Sequence, residues 1–442
     1  MITQIESKTK EQITQEDIQK FYDYVKNNIN NGEIVSHLEA CVRCGLCAEA
    51  CQFYISQNLA GEPRPELVPA YKGDLLRDIY RENYTILGRL KKALGFGVKI
   101  TPDKLIEQSM IAFDACSNCD RCARICPMGI ETPIFTALLR GALTEAGVVP
   151  PDLAGALNAV IQVGSPFGIP LDQFKGAIQK ISQENNVEIP IDKKGAEYIL
   201  LYTSLDVAVF SQNIVAEAKI LNAAGVNWTI STKAREGSNI GAFSGRKDIM
   251  KQLASRVLEG AKELGASKII ISECGHGYHV NRFVVPNLIP EWDLEVYHMV
   301  EIIDKLIKEG KLKINKKVLN EPVSFHDGCQ VGRRSGLKDE PRNVIKSVVE
   351  DYREAVDSAK PERNYCCGGG GGIVINKRAH DNMEKAFFIK IEQFDKVGAK
   401  HIVTECANCE FVVSNDIKSF NRPFQVHSVS ELVAQAIEGG EQ

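Results

Sequence analysis

The sequence predicts a multidomain α+β protein in which a helical, cysteine-bearing part precedes two related α/β halves, the first of them degenerate. Three observations carry this expectation. Two runs of four cysteines, Cys41 to Cys51 and Cys116 to Cys126, lie among helix-periodic segments. After residue 195 short apolar runs alternate with helical stretches, the pattern of parallel-sheet units. That pattern occurs twice, with Cys274 and Cys406 at matching places about 130 residues apart.

The 442 residues suffice for several domains with substantial cores. With 53 Lys+Arg against 57 Asp+Glu the net charge is −4, which offers no general field for nucleic acid, and no nucleic-acid partner is expected. Fourteen cysteines are too dilute for a disulfide-stapled secreted domain, and their clustering favours metal. Met1 to Lys20 lack the apolar core of a targeting segment, and no apolar run reaches the roughly 18 residues of a membrane span. A soluble, cytoplasmic protein without its own transmembrane segment is expected. Another subunit must then bring it to any membrane at which it works.

In chain order, residues 1–34 hold an N-terminal helix with Ile13, Ile18, Phe21, Tyr22, Val25 and Ile29 on one face, which packs on the next domain or on a partner subunit. Residues 35–145 form a helical domain around the cysteine runs. Cys41-x-x-Cys44-x-x-Cys47-x-x-x-Cys51 and Cys116-x-x-Cys119-x-x-Cys122-x-x-x-Cys126-Pro127 both match the bacterial ferredoxin pattern for four-iron clusters. In that pattern three closely spaced thiolates hold one cubane and the fourth reaches the other. Cys41, Cys44, Cys47 and Cys126 are therefore assigned to one cubane 4Fe-4S cluster, and Cys116, Cys119, Cys122 and Cys51 to a second. Zinc sites are the rival, disfavoured because zinc ribbons seldom place four cysteines in one run. Gln52 stands where proline usually follows the first run. The 64 residues between the runs read as helices. Leu75, Leu76, Ile79 and Tyr80 make one stripe, and Thr101-Pro102-Asp103 reads as an N-cap with proline at N1 before Leu105, Ile106, Ser109, Met110 and Phe113.

Residues 146–195, opening near Gly147-Val148-Val149-Pro150-Pro151, are a linker and helical region. The first α/β half, 196–318, opens with the strand-like run Tyr198 to Tyr202, and the second, 319–442, with Val323 to Phe325. Gly265 to Cys274 and Gly398 to Cys406 each read as a strand ending at a cysteine. Glu295 to His298 and Gln425 to His427 each precede a short helix, Val300 to Ile307 and Leu432 to Ile437. The lysine-rich stretch Ile307 to Lys317 reads as a solvated connection. Such sheets bind ligands at the C-terminal ends of their strands, and Cys329, Cys366 and Cys406 fall just past these runs.

The second half carries five cysteines, Cys329, Cys366-Cys367-Gly368 and Cys406-x-x-Cys409, one more than an ordinary four-iron cluster uses. Neighbouring cysteines bridge poorly, so convergence on iron is the better reading. The first half keeps only Cys274, with Gly277 where a second cysteine would stand and Glu236-Gly237-Ser238 near the place of the pair. One cluster site is expected to have decayed. Gly368 to Gly372 let backbone approach a cluster and donate to its sulfur. A phosphate loop would end in Lys-Ser/Thr, which is absent.

Residues 35–145 resemble the all-helical ferredoxin domain of succinate dehydrogenase iron-sulfur subunits and of HdrC, a component of heterodisulfide reductase. The pattern Cys-x(n)-Cys-Cys-Gly-x(n)-Cys-x-x-Cys resembles the CCG domain of the heterodisulfide reductase components HdrB and HdrD and of DsrK and TmcB. Over nearly the whole chain the order of parts is similar to HdrD: a ferredoxin domain, then two α/β CCG-type halves. The resemblance implies a noncubane 4Fe-4S cluster held by Cys329, Cys366, Cys367, Cys406 and Cys409. The degenerate first half brings the chain nearer to DsrK and TmcB, which implies a disulfide or trisulfide on a thiol substrate or a small protein such as DsrC. The resemblance also implies an oxidoreductase acting on sulfur groups, peripheral at the cytoplasmic face of the membrane. A cytochrome b-type subunit and other redox subunits would hold it there and exchange electrons with the quinone pool.

Disulfide chemistry takes two electrons and cubane clusters pass one, a mismatch resolved by a cluster that accepts a substrate sulfur. His326, in His326-Asp327-Gly328-Cys329, is a candidate catalytic proton donor to a departing thiolate, or a histidine hydrogen-bonded in its loop. Cys274 is a sixth functional thiol, a substrate-facing group or a buried relic. His276 and His279 either line the same cavity or are structural. The alternative function is an electron-transfer subunit of a glycolate, lactate or glycerol-3-phosphate dehydrogenase, and a zinc scaffold without redox chemistry is the third class.

Overall fold

The computed structural model describes residues 4–236, 239–355 and 363–437. Gly237 and Ser238, which sequence places near the lost cysteine pair, lie outside them. The chain forms two compact units that do not follow chain order. Met1–Asn158, Gly241–Arg246 and Gly368–Ile389 make one, and Ala159–Ile240, Lys247–Cys367 and Lys390–Gln442 make the other.

In the first unit, Thr14 caps the helix Gln15–Ile29 by accepting from the Asp17 N–H. That helix buries Ile18, Phe21, Val25 and Ile29 against the helices Asp74–Tyr84 and Thr132–Glu145. The expected apolar face therefore packs on its own domain. Tyr22 departs from that face, staying half-exposed with its hydroxyl bonded to Glu82. Between the cysteine runs lie the helices Gln52–Leu59, Asp74–Tyr84, Ile86–Ala93 and Pro102–Ser109. Thr101 does cap the last of these, accepting from Lys104 N at 3.2 Å with Pro102 at N1. One π turn, Met110–Asp114, continues it and buries Phe113 and Asp114.

Two later segments complete this unit through buried polar contacts. The Arg140 guanidinium, fully buried, donates to the carbonyls of Gly371 (2.6 Å), Phe243 (3.2 Å), Ala112 (2.9 Å) and Cys116 (2.8 Å). Asp114 accepts from Asn376 at 2.6 Å and pairs with Arg378 at 2.7 Å. A fork with five donors satisfies several carbonyls at once, so its charge can be buried without leaving orphaned groups.

The second unit contains two four-stranded parallel sheets. The first joins β1 (Tyr198–Leu201), β2 (Trp228–Thr229), β3 (Lys268–Ile271) and β4 (Glu295–His298) in the order β2-β1-β3-β4. The second joins β5 (Val323–His326), β6 (Tyr352–Arg353), β7 (His401–Thr404) and β8 (Gln425–Ser428) in the order β6-β5-β7-β8. The register repeats as well: Leu201 pairs with Ile271 and then His298, while His326 pairs with Thr404 and then Ser428. The central strands β1, β5 and β7 are buried throughout, as expected of parallel strands covered on both faces. Leu200, Ile270, Val323, Phe325 and Val403 share one core, so the two halves bury their sheets together.

Two expectations need correction. β3 stops at Ile271, three residues short of Cys274, because the chain turns there into a loop. Cys366 does not follow a strand directly: the edge strand β6 ends at Arg353, and a long connection leads on to the cysteine pair. In the connection Ile307 to Lys317, expected to be solvated, Leu312 is buried and Ile307 and Ile314 are half-buried against the same core.

Candidate functional site

Both cysteine runs fold alike. Arg43 and Gly45 flank Cys44 with φ of 55° and 83°, and Asn118 and Asp120 flank Cys119 with φ of 55° and 68°. Left-handed residues on either side of the middle cysteine curl the backbone into the concave turn that suits an anionic cluster. Short helices, Leu46–Ala50 and Arg121–Ile125, then carry Cys47 and Cys122 and end just before Cys51 and Cys126. The result is two cavities. Cys41, Cys44, Cys47 and Cys126 line one; Cys51, Cys116, Cys119 and Cys122 line the other, and Cys122 also borders the first. The fourth cysteine of each run thus crosses to the other cavity. All fourteen cysteines are free of disulfides, which fits a role as thiolate ligands.

The second cavity holds a residue that the sequence did not single out. Lys72 is 2% exposed and lines it beside Cys51, Cys116 and Cys122. Burial alone would lower the Lys72 ammonium, but the thiols of Cys116, Cys51 and Cys122 raise it overall. Arg140 adds a second buried cation beside Cys116. A lysine 44 positions before Cys116 gives no local signal of this placement.

The five cysteines of the second half are all buried, between 0% and 5% exposed. Cys329 follows β5 and Cys406 follows β7, the adjacent central strands at which the strand order reverses. Ligands of open parallel sheets bind at such a switch point. Cys409 Sγ lies 3.5 Å from Cys367 Sγ, and a ring nitrogen of His326 falls within 4.8 Å of both. Cys409 also hydrogen-bonds to Cys406, and that bond is the main reason the Cys406 thiol drops to about 7. The Gly328 N–H donates to Glu405 at 2.8 Å, tying the Cys329 loop to the residue before Cys406.

Asn364 secures the cysteine pair. Its side chain donates to the Asp327 carbonyl at 2.7 Å and accepts from Lys390 at 2.8 Å, while its carbonyl accepts from Arg333 at 2.7 Å. Cys366 is thereby held two residues beyond an anchor that belongs to the Cys329 loop. Lys390 was not foreseen either. The only sequence signal is a lysine inside the apolar stretch Phe387-Phe388-Ile389-Lys390-Ile391. Burial depresses its ammonium to about 7 against the opposing pull of Asp327 and Glu354.

His326 ends β5 fully buried, so it is not a loop histidine. Burial, with Lys390 and Arg333 nearby, pushes its imidazole down to about 3. It is neutral at physiological pH. As a proton donor it has only its neutral N–H to offer, whereas Lys390 titrates near pH 7.

The degenerate half forms one side of this region. Gly275 packs on the Cys329 loop so closely that a Cβ there would lie 2.9 Å from Val331 Cγ2 and 3.0 Å from Gln330 Cβ. Its N–H donates to Cys406. Cys274 is buried near Cys406, and burial raises its thiol well above the usual value. His279 instead bonds Ser335 at 3.1 Å. Beneath this loop Ser272 bridges Asp206 (3.1 Å) and Glu217 (3.0 Å), buried carboxyls that desolvation holds above their ordinary range.

Residues 323–414 match the family described as a cysteine-rich domain, CCG, and residues 37–130 match the 4Fe-4S dicluster domain. The chain is 27% identical over 410 residues to HdrD, the D component of the dihydromethanophenazine:CoB–CoM heterodisulfide reductase of Methanosarcina acetivorans, covering 90% of this chain and 94% of that one. The likeness to HdrD extends over nearly the whole chain. It is also 26% identical over 467 residues to the Hdr-like menaquinol oxidoreductase iron-sulfur subunit 2 of Archaeoglobus fulgidus, covering 94% of this chain and 83% of that subunit. A third relative, the EtfAB:quinone oxidoreductase of Syntrophomonas wolfei, is 28% identical over 91% of this chain and 58% of its own length. Among the described residues no helix is long and apolar enough to cross a membrane.

Proposed function

We propose that this chain is the catalytic iron-sulfur subunit of a quinone-linked redox complex that reduces or oxidises a disulfide or trisulfide. The substrate would be a thiol compound or a small protein such as DsrC. The observation that carries this reading is that all five thiols are buried, with Cys329 and Cys406 following β5 and β7 at their switch point and Cys367 Sγ 3.5 Å from Cys409 Sγ. Cys41, Cys44, Cys47 and Cys126 would hold one cubane cluster and Cys51, Cys116, Cys119 and Cys122 a second, while Cys329, Cys366, Cys367, Cys406 and Cys409 would hold a noncubane 4Fe-4S cluster. When bound, that cluster supplies one-electron transfers and a place for substrate sulfur. The chain's own residues do the rest. The buried walls exclude water, Asn364 and Glu405 fix the cysteine loops, and Lys390 holds a proton that it can release near neutral pH. By this reading the chain lies peripherally at the cytoplasmic face, held by a cytochrome b-type subunit and other redox subunits.

A second reading has one specific observation in its favour. The similarity to an EtfAB:quinone oxidoreductase suits pure electron transfer from a flavoprotein, as in a glycolate, lactate or glycerol-3-phosphate dehydrogenase. Paramagnetic resonance of the oxidised, iron-loaded chain separates the two. A signal that appears only with a disulfide or trisulfide, and is lost in Cys367→Ala, is the expected result. Its absence in the wild-type chain, or its persistence in Cys367→Ala, would leave electron transfer as the better account.

A further inference from the structure

The helix Ile86–Ala93 and the turn after it turn their apolar side chains to solvent. Ile86 is 84% exposed, Leu87 63%, Leu90 55%, Leu94 65% and Phe96 76%, and no residue of the helix is buried. Ile86, Leu87, Leu90 and Leu94 fall on one helical stripe. Single exposed apolar residues are ordinary, whereas a contiguous set marks an interaction surface.

This outward stripe is held in place. Thr85 caps the helix, accepting from Gly88 N at 3.1 Å. Lys92 pairs with the buried Glu82 at 2.9 Å and lies over the Tyr22 ring. The flanking charge is of one sign. From Asn83 to Pro102 there is no Asp or Glu, while Arg89, Lys91, Lys92 and Lys99 are all basic, in a chain whose net charge is −4. Lys91, Lys99 and Lys104 also line a groove beside Leu87 and Phe96, with Asp78 and Glu82 as its acids.

The geometry points to an anionic phospholipid surface as the occupant of this face, with Ile86, Leu87, Leu90, Leu94 and Phe96 entering the interface and Arg89, Lys91 and Lys99 meeting the headgroups. Composition distinguishes it from a protein interface, whose core is depleted of lysine. Aliphatic and phenyl groups interleaved with Lys and Arg are the make-up of helices that lie in a bilayer surface. The negative potential of such a surface adds attraction for each base, and salt screens it. The quinone-linked reading explains why a membrane would be near, and this inference rests on it only in that respect.

The test is cosedimentation of the iron-loaded full chain with vesicles of phosphatidylcholine, with and without phosphatidylglycerol. Binding to the anionic vesicles that weakens with added salt is expected. Leu90→Glu and Phe96→Glu should each lower the partition coefficient about tenfold or more. Lys91→Glu should remove part of the salt-sensitive binding, with iron content unchanged in every variant. A wild-type chain that stays in the supernatant with either vesicle overturns the proposal, and so do variants that bind as well as wild type. Capture through the same residues by a detergent-solubilised membrane subunit, without vesicle binding, would make the face a protein interface and also overturn it. Intact vesicle binding without a disulfide-dependent resonance signal would sink the catalytic reading and leave this one standing.

Discussion

Lys72 places a positive charge against three thiols of one cavity, and its removal should be legible in a potential. A nearby cation favours the added electron, so Lys72→Met should make the cluster proposed for the cavity of Cys51, Cys116, Cys119 and Cys122 harder to reduce. A tenfold fall in its reduced-to-oxidised ratio at fixed potential corresponds to about 59 mV for one electron. A resonance-monitored redox titration would show it, with the other cubane unmoved. Lys390 should declare itself through pH. Unfolded, a lysine keeps its proton to 10.5; here burial brings that down to about 7. The unfolded chain therefore binds more protons between those values, and stability from this group rises with pH from about 7 to 10.5 and is lowest below 7. Lys390→Met should gain most over wild type below pH 7 and lose that advantage towards pH 10, as read from apparent urea midpoints. The ligand candidates were legible because cysteine spacing is itself the signal. Lys72, Lys390 and Asn364 were not, since their meaning arises only when distant segments meet.

The loop after β3 occupies the place in the first sheet that the Cys406 loop occupies in the second. Gly275 allows it to press on Gln330 and Val331. Gly275→Val should displace the Cys329 loop and reduce iron from about 12 to about 8 per chain, leaving the two cubane signals intact. Iron analysis with resonance spectra would check this, and retention of all the iron would refute a supporting role for the degenerate half. The elements with strong local codes were readable: the Thr101 cap, the buried runs of β1, β5 and β7, and the helices after β4 and β8. The two-residue edge strands β2 and β6 were not, because so short a pairing is defined by its neighbour. The helix Ile86–Ala93 escaped notice for another reason. An apolar stripe at helical spacing reads the same whether it faces a core or a membrane.

At the scale of the whole molecule, exposure orders the losses. Cys44 is exposed and the other ferredoxin-type cysteines are half-buried, whereas all five cysteines after residue 320 are buried. Under an anaerobic chelator, about 8 of about 12 irons should therefore leave in a fast phase that carries away the cubane signals. A uniform release would contradict that order. The division into a helical and an α/β part was visible in sequence, but the return of Gly241–Arg246 and Gly368–Ile389 to the helical unit was not, since it rests on Arg140 and Asp114 gripping residues far along the chain. That interleaving bears on modularity. A fragment ending at Asn158 would lack two of Arg140's acceptors, Phe243 and Gly371, and both side-chain partners of Asp114, Asn376 and Arg378, so the helical unit is not a cassette that can be cut out, swapped or fused by its N-terminal sequence alone. Any recombinant or ancestral joining of these parts had to preserve three separate stretches of chain at once.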